Sequence, residues 1–133
     1  MLVVDSSVWI DFFADRSTAA SEELERLLYD GRTRLVVPDL VLYEVLRGFR
    51  HERPMRQARQ VLQTLSVEPC GGEDVALAAA GHYRHLRARG ITVRSSIDVM
   101  VAAFCIERDY LLLHSDRDYD AIAAHRGLRV WGH

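Results

Sequence analysis

The residues best suited to chemistry in this 133-residue chain are acidic, and each stands beside an apolar segment. Asp5 follows the run LVV, Glu44 lies within LVLYEVL, Asp98 precedes VMVAAF, and Asp116 follows LLLHS. A carboxylate beside a surface that becomes buried is costly unless it is paired or binds a cation. These four residues are therefore candidates for one site.

Each acid also has an ordinary structural explanation. Ser95 and Asp98 match the S-x-x-D capping box, in which the acid satisfies backbone N–H groups and faces the positive end of the helix dipole, worth about 0.3–1 kcal/mol. Asp5 and Asp116 are also suited to helix N-caps, and Glu44 to a solvated helix position. For each residue by itself both explanations stay open, but one common cause is simpler than four separate ones.

The surrounding elements predict that these acids meet. Strand-like apolar runs occur at 2–5, 34–38, 66–69, 110–114 and 128–131, and helical patterns lie between them near 7–13, 18–30, 39–50, 54–65, 73–89, 96–108 and 117–125. The alternation predicts a single domain over 1–133, an α/β/α three-layer sandwich around a five-stranded parallel sheet. The carboxyl ends of parallel strands share one edge, where we expect Asp5 and Asp116, with Glu44 and Asp98 leaning toward it.

Such a cluster needs a cation. Two like charges 4 Å apart repel by about 4 kcal/mol at an effective dielectric constant near 20, so several adjacent carboxylates are unfavourable alone. Ligands that are all oxygen favour Mg²⁺ or Mn²⁺ over zinc. The acids therefore predict a Mg²⁺ or Mn²⁺ site at this edge of the sheet.

Other classes of protein fit less well. No apolar run approaches the roughly 20 residues of a membrane span, and the start MLVVDSSVW lacks a basic leader, so we expect a cytoplasmic protein with no membrane partner. Cys70 and Cys105 stand in unlike contexts and are expected to be reduced thiols. There is no Walker loop, GxGxxG or GxSxG motif, and we expect His82 and His85 to be surface residues.

The charge composition is ambiguous. The net charge is −2, which does not suggest a nucleic-acid-binding protein by itself. All 17 basic residues are Arg, which we attribute chiefly to GC-rich codon usage, although a guanidinium also matches phosphate geometry. A weakly acidic total is compatible with an acidic pocket beside a basic rim, a separation that composition does not show.

Four segments together resemble the PIN-domain ribonucleases, specifically the VapC-type toxins of bacterial toxin–antitoxin pairs. They are VDSSVWIDFF at 4–13, LVLYEVLRGF at 40–49, SSIDVMVAA at 95–103 and LLHSDRDYDAIA at 112–123. The resemblance covers essentially the whole chain and depends on the order and separation of the segments. It implies a five-stranded PIN-like sheet and places Asp5, Glu44, Asp98 and Asp116 at the family's four acidic positions, with Asp118 as a further candidate.

The resemblance implies a metal-dependent endoribonuclease acting on RNA, with Asp5, Glu44, Asp98 and Asp116 as its catalytic residues. Mg²⁺, for which Mn²⁺ can substitute, is expected on Asp5, Asp98 and Asp116, with Asp118 as an additional ligand. Glu44 is expected to orient or deprotonate the attacking water, or to support a second ion.

The family also implies two protein partners, a cognate antitoxin and a second copy of the chain in a homodimer. The antitoxin's C-terminal segment is expected to pack on the toxin and block its groove. The aromatic residues that can contribute to that surface are Trp9, Phe12, Phe13, Tyr43 and Phe49, although aromatic residues at helical spacing more often belong to the core.

The chain departs from the family pattern at two places. His114 and Ser115 stand where many relatives have Thr-Asn or Thr-Arg, which leaves open whether Asp116 or Asp118 is the closer ligand. Tyr119 replaces the commoner Phe, which by sequence is a mild change.

Two other functions remain compatible with the sequence. An aspartyl-phosphate phosphatase on a similar sheet would need a second Asp two residues after Asp5, where this chain has Ser7. A non-catalytic PIN-fold binding module would not need Asp98. The motifs do not indicate which RNA is the substrate.

Overall fold

The computed structural model describes residues 1–133 and contains four strands and seven helices. The strands are β1 (Leu2–Val4), β2 (Leu35–Pro38), β3 (Ser66–Glu68) and β4 (Leu111–Leu113). The helices are α1 (Ser6–Phe13), α2 (Ala19–Asp30), α3 (Asp39–Arg47), α4 (Glu52–Gln63), α5 (Glu73–Arg87), α6 (Ser96–Arg108) and α7 (Asp118–Arg126). All seven predicted helices and the first four predicted strands are present, with ends at most three residues from the predicted ones.

The four strands form one parallel sheet in the order β3-β2-β1-β4. Leu2 of the central strand pairs with Leu35 on one side and with Leu111 on the other. The whole of β1 is 0% exposed, so helices cover both faces, as the continuous apolar runs predicted. The strand order reverses between β1 and β4. Ligands of parallel sheets bind at the C-terminal ends of the strands beside such a reversal, and we call this edge the carboxyl edge.

The prediction of a fifth strand near the C-terminus is wrong. LRVW forms an isolated parallel bridge between Leu112 and Val130, in which the Leu112 N–H donates to the Arg129 carbonyl at 3.0 Å and the Trp131 N–H to the Leu112 carbonyl at 2.8 Å. Leu128 is buried, whereas Val130 is 40% exposed. Leu128 is the one buried residue of this segment, and the neighbouring strand β4 has only three residues. The bridge therefore does not extend into a longer run of strand hydrogen bonds.

The core explains why α6 is apolar on all sides. Val99 and the run 101–105 are buried in a cluster of 30 residues, between the sheet and the other helices. A helix surrounded by protein needs no polar face. α6 packs against α5, α7 and β4, while α1 packs against α2 and α3.

Two further expectations concern cysteines and membranes. Cys70 and Cys105 are both buried and free, and burial raises the pKa of the Cys70 thiol to about 12, which makes it unreactive. None of the helices combines the length and the apolar character that a membrane crossing requires.

Candidate active site

The predicted acids reach the carboxyl edge from four different elements. Asp5 follows β1 and is the N-cap of α1, where its carboxylate accepts the N–H of Ser7 at 3.2 Å. Asp116 lies in the turn between β4 and α7, Asp98 in the first turn of α6, and Glu44 in the middle of α3. Burial, and then the negative charges of Asp5, Glu44 and Asp116, raise the pKa of Asp98, so the four acids interact electrostatically.

Three acids form the tightest group. One carboxylate oxygen from each of Asp98, Asp116 and Asp118 lies within 4.8 Å of the others. The turn that brings two of them together is held by the Asp118 N–H, which donates to Oδ1 of Asp116 at 2.9 Å. Asp116 and Asp118 both belong to the group, so the distances between oxygens do not select either as the closer metal ligand. Asp5 and Glu44 lie outside this group of three.

The charge of Asp98 has no compensating cation in the interior. Burial is the largest cause that raises the pKa of this carboxyl to about 7, and the charges of Asp5, Glu44 and Asp116 add to it. The side chain is only 8% exposed, so water does not relieve the repulsion. A group of clustered oxygen donors that includes the buried, unpaired carboxylate of Asp98 is the set that a hard divalent cation suits, so these residues fit a metal ion.

The capping box predicted at the start of α6 forms in part. The Asp98 N–H donates to Oγ of Ser95 at 3.3 Å, which makes Ser95 the N-cap. The reciprocal bond from the Ser95 N–H is absent, and the Asp98 carboxylate instead lies near the Tyr119 hydroxyl. The cap and the acidic site therefore use different atoms of Asp98.

Tyr119 is the site residue that sequence reasoning undervalued. Its side chain is 0% exposed, and its hydroxyl donates to Oδ1 of Asp5 at 2.7 Å and also interacts with Asp98. The other oxygen of Asp5 accepts from the N–H and hydroxyl of Ser7. Burial and the charges of both acids raise the pKa of the Tyr119 phenol, so it stays protonated and remains a donor. The sequence signal for this role was the departure from the family pattern at position 119, where Tyr119 replaces the commoner Phe.

His114 supports the same turn from inside. Its Nδ1 accepts the Asp116 N–H at 3.2 Å, which places the ring proton on Nε2, and its ring lies 4.9 Å from that of Tyr119. Burial lowers the pKa of the imidazole, so it is neutral.

Glu44 lies outside the three-acid group, and residues that do not belong to that group hold its side chain. Its Oε1 accepts from the hydroxyl of Ser6 at 2.9 Å, and its Oε2 lies 3.8 Å from Nη2 of Arg47. Because Ser6 begins α1 next to Asp5, this bond ties α3 to the end of β1.

The structure decides between the two alternatives for Trp9, and it contradicts the prediction that His82 is a surface residue. Trp9 is 0% exposed and stacks on Phe13 at 5.8 Å, so it belongs to the core and not to a partner surface. His82 is buried on α5, where its Nδ1 accepts from Nε of Arg126 at 2.8 Å. A half-buried aromatic pair does line a groove between α1 and α3, with a volume of about 300 Å³, formed by Ile10, Phe13, Ala14, Arg16, Val45, Gly48, Phe49 and Arg50.

Comparison with known proteins gives consistent matches along the chain. The family model for the PIN domain matches residues 2–125. A VapC ribonuclease of Mycobacterium bovis is 32% identical over 133 residues, which cover 98% of this chain and 97% of the relative. Ribonuclease VapC11 of Mycobacterium tuberculosis has the same identity and coverage.

Solved structures share the fold at much lower identity. VapBC-1 of nontypeable Haemophilus influenzae has a TM-score of 0.74 at 18% identity, over 98% of this chain and 96% of that one. VapBC2 of Rickettsia felis, bound to a promoter DNA fragment, has a TM-score of 0.73 at 13% identity and the same coverage. At these identities the likeness shows the fold alone.

Proposed function

The chain belongs to the PIN domain family, alongside the VapC ribonucleases, and on that premise we propose that it is the endoribonuclease toxin of a toxin–antitoxin pair. The observation that carries the proposal is the convergence of Asp98, Asp116 and Asp118, with oxygens within 4.8 Å, beside Asp5 and Glu44. The reaction is hydrolysis of an RNA phosphodiester bond.

The residues that would hold the cofactor are Asp98, Asp116 and Asp118, with Asp5 at their side. When bound there, Mg²⁺ or Mn²⁺ supplies positive charge against the phosphate oxygens and lowers the pKa of water for nucleophilic attack. The side chains bind the cation, and their clustered charge is neutralised in return.

Glu44 is proposed to orient the attacking water or accept its proton. Its carboxylate is fixed by Ser6 and lies outside the three-acid group, so one oxygen remains available for water. Nη2 of Arg47 lies 3.8 Å from the other carboxylate oxygen of Glu44, on the side away from Ser6.

Tyr119 is proposed as a positioning residue. It donates to Asp5 and interacts with Asp98, so one buried hydroxyl sets the orientation of two carboxylates before a cation arrives. Preorganised ligands of this kind lose less freedom when they bind.

The partner is proposed to be a cognate antitoxin, because the solved structures of similar fold include several VapBC and toxin–antitoxin complexes. The groove lined by Phe13 and Phe49 is the apolar surface available to its C-terminal segment. The resemblance to the family alone supports the homodimer and the cytoplasmic location that we also propose.

The test of the activity is cleavage of total bacterial RNA by the purified protein. We expect cleavage with Mg²⁺ or Mn²⁺, and none with EDTA or with Asp98→Asn in the presence of Mg²⁺. Undiminished cleavage in EDTA would refute the metal-dependent mechanism. A non-catalytic binding module would bind RNA without cleaving it, and would bind equally with Asp98→Asn. The phosphatase alternative has no structural support, because Ser7 donates to Asp5 where a second acid would be required.

A further inference from the structure

Arginines at the end of α3, in the turn after it and on α4 form a series with a regular spacing. They occur at every third position and all are exposed: Arg47, Arg50, Arg53, Arg56 and Arg59. Residues 47–59 contain one acid, Glu52, so this segment carries five positive charges against one negative charge in a chain of net charge −2. The chain thus concentrates positive charge in one segment, here called the α3–α4 arginine series, which composition averages with the acidic site.

Most of the series is free to bind an anion. No carboxylate lies within the 4.0 Å ion-pair distance of Arg50, Arg53 or Arg56. The helix α4 buries Ala58 and Leu62 against the protein and turns the other side to solvent. Guanidinium groups without an internal partner keep all their donors for an external one.

The series begins at the acidic site. Arg47 lies one helical turn after Glu44, with Nη2 at 3.8 Å from Oε2, and its guanidinium stands 5.4 Å from the centre of the Tyr43 ring. Tyr43 is 55% exposed and belongs to no core cluster. An exposed aromatic ring beside arginines is the combination that binds single-stranded nucleic acid, because bases stack on the ring while phosphates meet the charges.

We propose that the α3–α4 arginine series binds the phosphate backbone of the RNA substrate and leads the strand to the acidic site. This inference rests on the proposed ribonuclease function. A site built from carboxylates repels a polyanion, so a surface of opposite charge beside it is needed to hold the strand. Guanidinium forks match phosphate oxygens in geometry, and successive arginines on α4 are about 4.5 Å apart along the helix axis. Such contacts position RNA without reading its sequence.

The test is a salt titration of RNA binding in the Asp98→Asn background, where the RNA remains intact. The probe is a fluorescein-labelled single-stranded RNA of mixed sequence, about 20 nucleotides long, followed by anisotropy between roughly 50 and 200 mM KCl. The variant carries Arg50→Gln, Arg53→Gln and Arg56→Gln. We expect at least a tenfold weaker affinity, and a salt slope that is flatter by about 2, since each phosphate contact contributes about 0.7 for single strands.

The matched control changes the same number of charges at the opposite edge. It carries Arg32→Gln, Arg108→Gln and Arg129→Gln. Arg32 precedes β2, Arg108 is the last residue of α6, and Arg129 pairs with Asp109 before β4, so all three are remote from the carboxyl edge. We expect the control to bind RNA within twofold of the parent. Equal losses in the two variants, or no loss in the first, would overturn the proposal.

Two further measurements separate this inference from its alternatives. Cleavage of total bacterial RNA by the wild type, measured in parallel, tests the proposed function by itself. If the wild type cleaves RNA but the arginine variant binds RNA as tightly as its parent, the proposed role of the arginine series is refuted and the proposed ribonuclease function is not. Fluorescein-labelled polyglutamate serves as the probe for an acidic protein. If it binds more tightly than RNA and only the arginine variant loses it, the surface belongs to an acidic protein partner and the proposal fails.

Discussion

Replacing Asp98 by Asn removes one negative charge from the acidic site and leaves the size of the side chain almost unchanged. In the metal-free protein, burial first and then the charges of Asp5, Glu44 and Asp116 raise the pKa of Asp98 from 3.8 to about 7. At about 1.36 kcal/mol for each pH unit between these values, keeping this carboxylate ionised in the folded state costs at most about 4 kcal/mol.

The sign of the pH dependence follows from the direction of this shift. The folded protein binds the Asp98 proton more tightly than the unfolded chain, so the free energy of unfolding of the metal-free protein falls as the pH rises from about 4 to about 7. Above pH 7 the penalty is complete. Asn cannot ionise, and the variant should lack this part of the pH dependence.

One loss offsets part of the gain. Asn gives up the interaction of the charge with the helix N-terminus, about 0.3–1 kcal/mol, whereas the favourable effect of Tyr119 is already contained in the pKa of about 7. We therefore expect the metal-free Asp98→Asn protein to be as stable as the wild type at pH 8, or more stable by about 1–2 kcal/mol. For a chain of this length that corresponds to a rise of up to several degrees in Tm.

The assay is a melting curve at pH 5 and at pH 8, with and without Mg²⁺, for both proteins. The wild type should gain stability from Mg²⁺, about 2.7 kcal/mol at a concentration 100 times Kd, and the variant should lose most of that gain along with RNA cleavage. Asp74→Asn is the control, because Asp74 is an exposed first-turn acid of α5 that pairs with Arg108 away from the site. Its response to Mg²⁺ should equal that of the wild type.

The result that would refute this reasoning is a variant that is clearly destabilised at pH 8 without metal and keeps the full response to Mg²⁺. Asp98 would then act only as a first-turn acid of α6.

Expression of the wild-type chain without an antitoxin should arrest growth, and Asp5→Ala or Asp98→Ala should relieve the arrest while the protein stays folded. Equal toxicity of both variants would exclude the acidic cluster as the active site. Tyr119→Phe should lower the free energy of unfolding by about 1.5–3 kcal/mol, because Asp5 loses a buried donor at 2.7 Å, and should weaken Mg²⁺ binding measured by calorimetry. A Kd for Mg²⁺ equal to that of the wild type would remove its positioning role. Trp9→Ala should lower the free energy of unfolding, measured by urea titration, by about 3–5 kcal/mol, because the ring is 0% exposed. A decrease below about 1 kcal/mol would show that Trp9 is not a core residue.

Local patterns determined the elements and the candidate acids. The apolar run of β1 and the Ser95 cap of α6 depend on neighbours within a few positions, so both were predictable from the sequence. The parallel order of the strands followed from the alternation of elements, and it predicted that Asp5 and Asp116 share an edge. The predicted fifth strand failed because a ladder needs a partner, and β4 has only three residues to offer.

Contacts between distant parts of the chain decided the rest. The Tyr119 hydroxyl reaches Asp5 across 114 positions, and no local pattern distinguishes a Tyr that meets a carboxylate from one that fills a core. Packing of α1 against α2 and α3 buried Trp9, although helical spacing alone allowed an exposed ring. The sequence by itself determined which residues carry charge and which elements they start or end. Only the tertiary structure decided which charges meet, because repulsion, burial and hydrogen bonding act over a few ångströms in space and not along the chain.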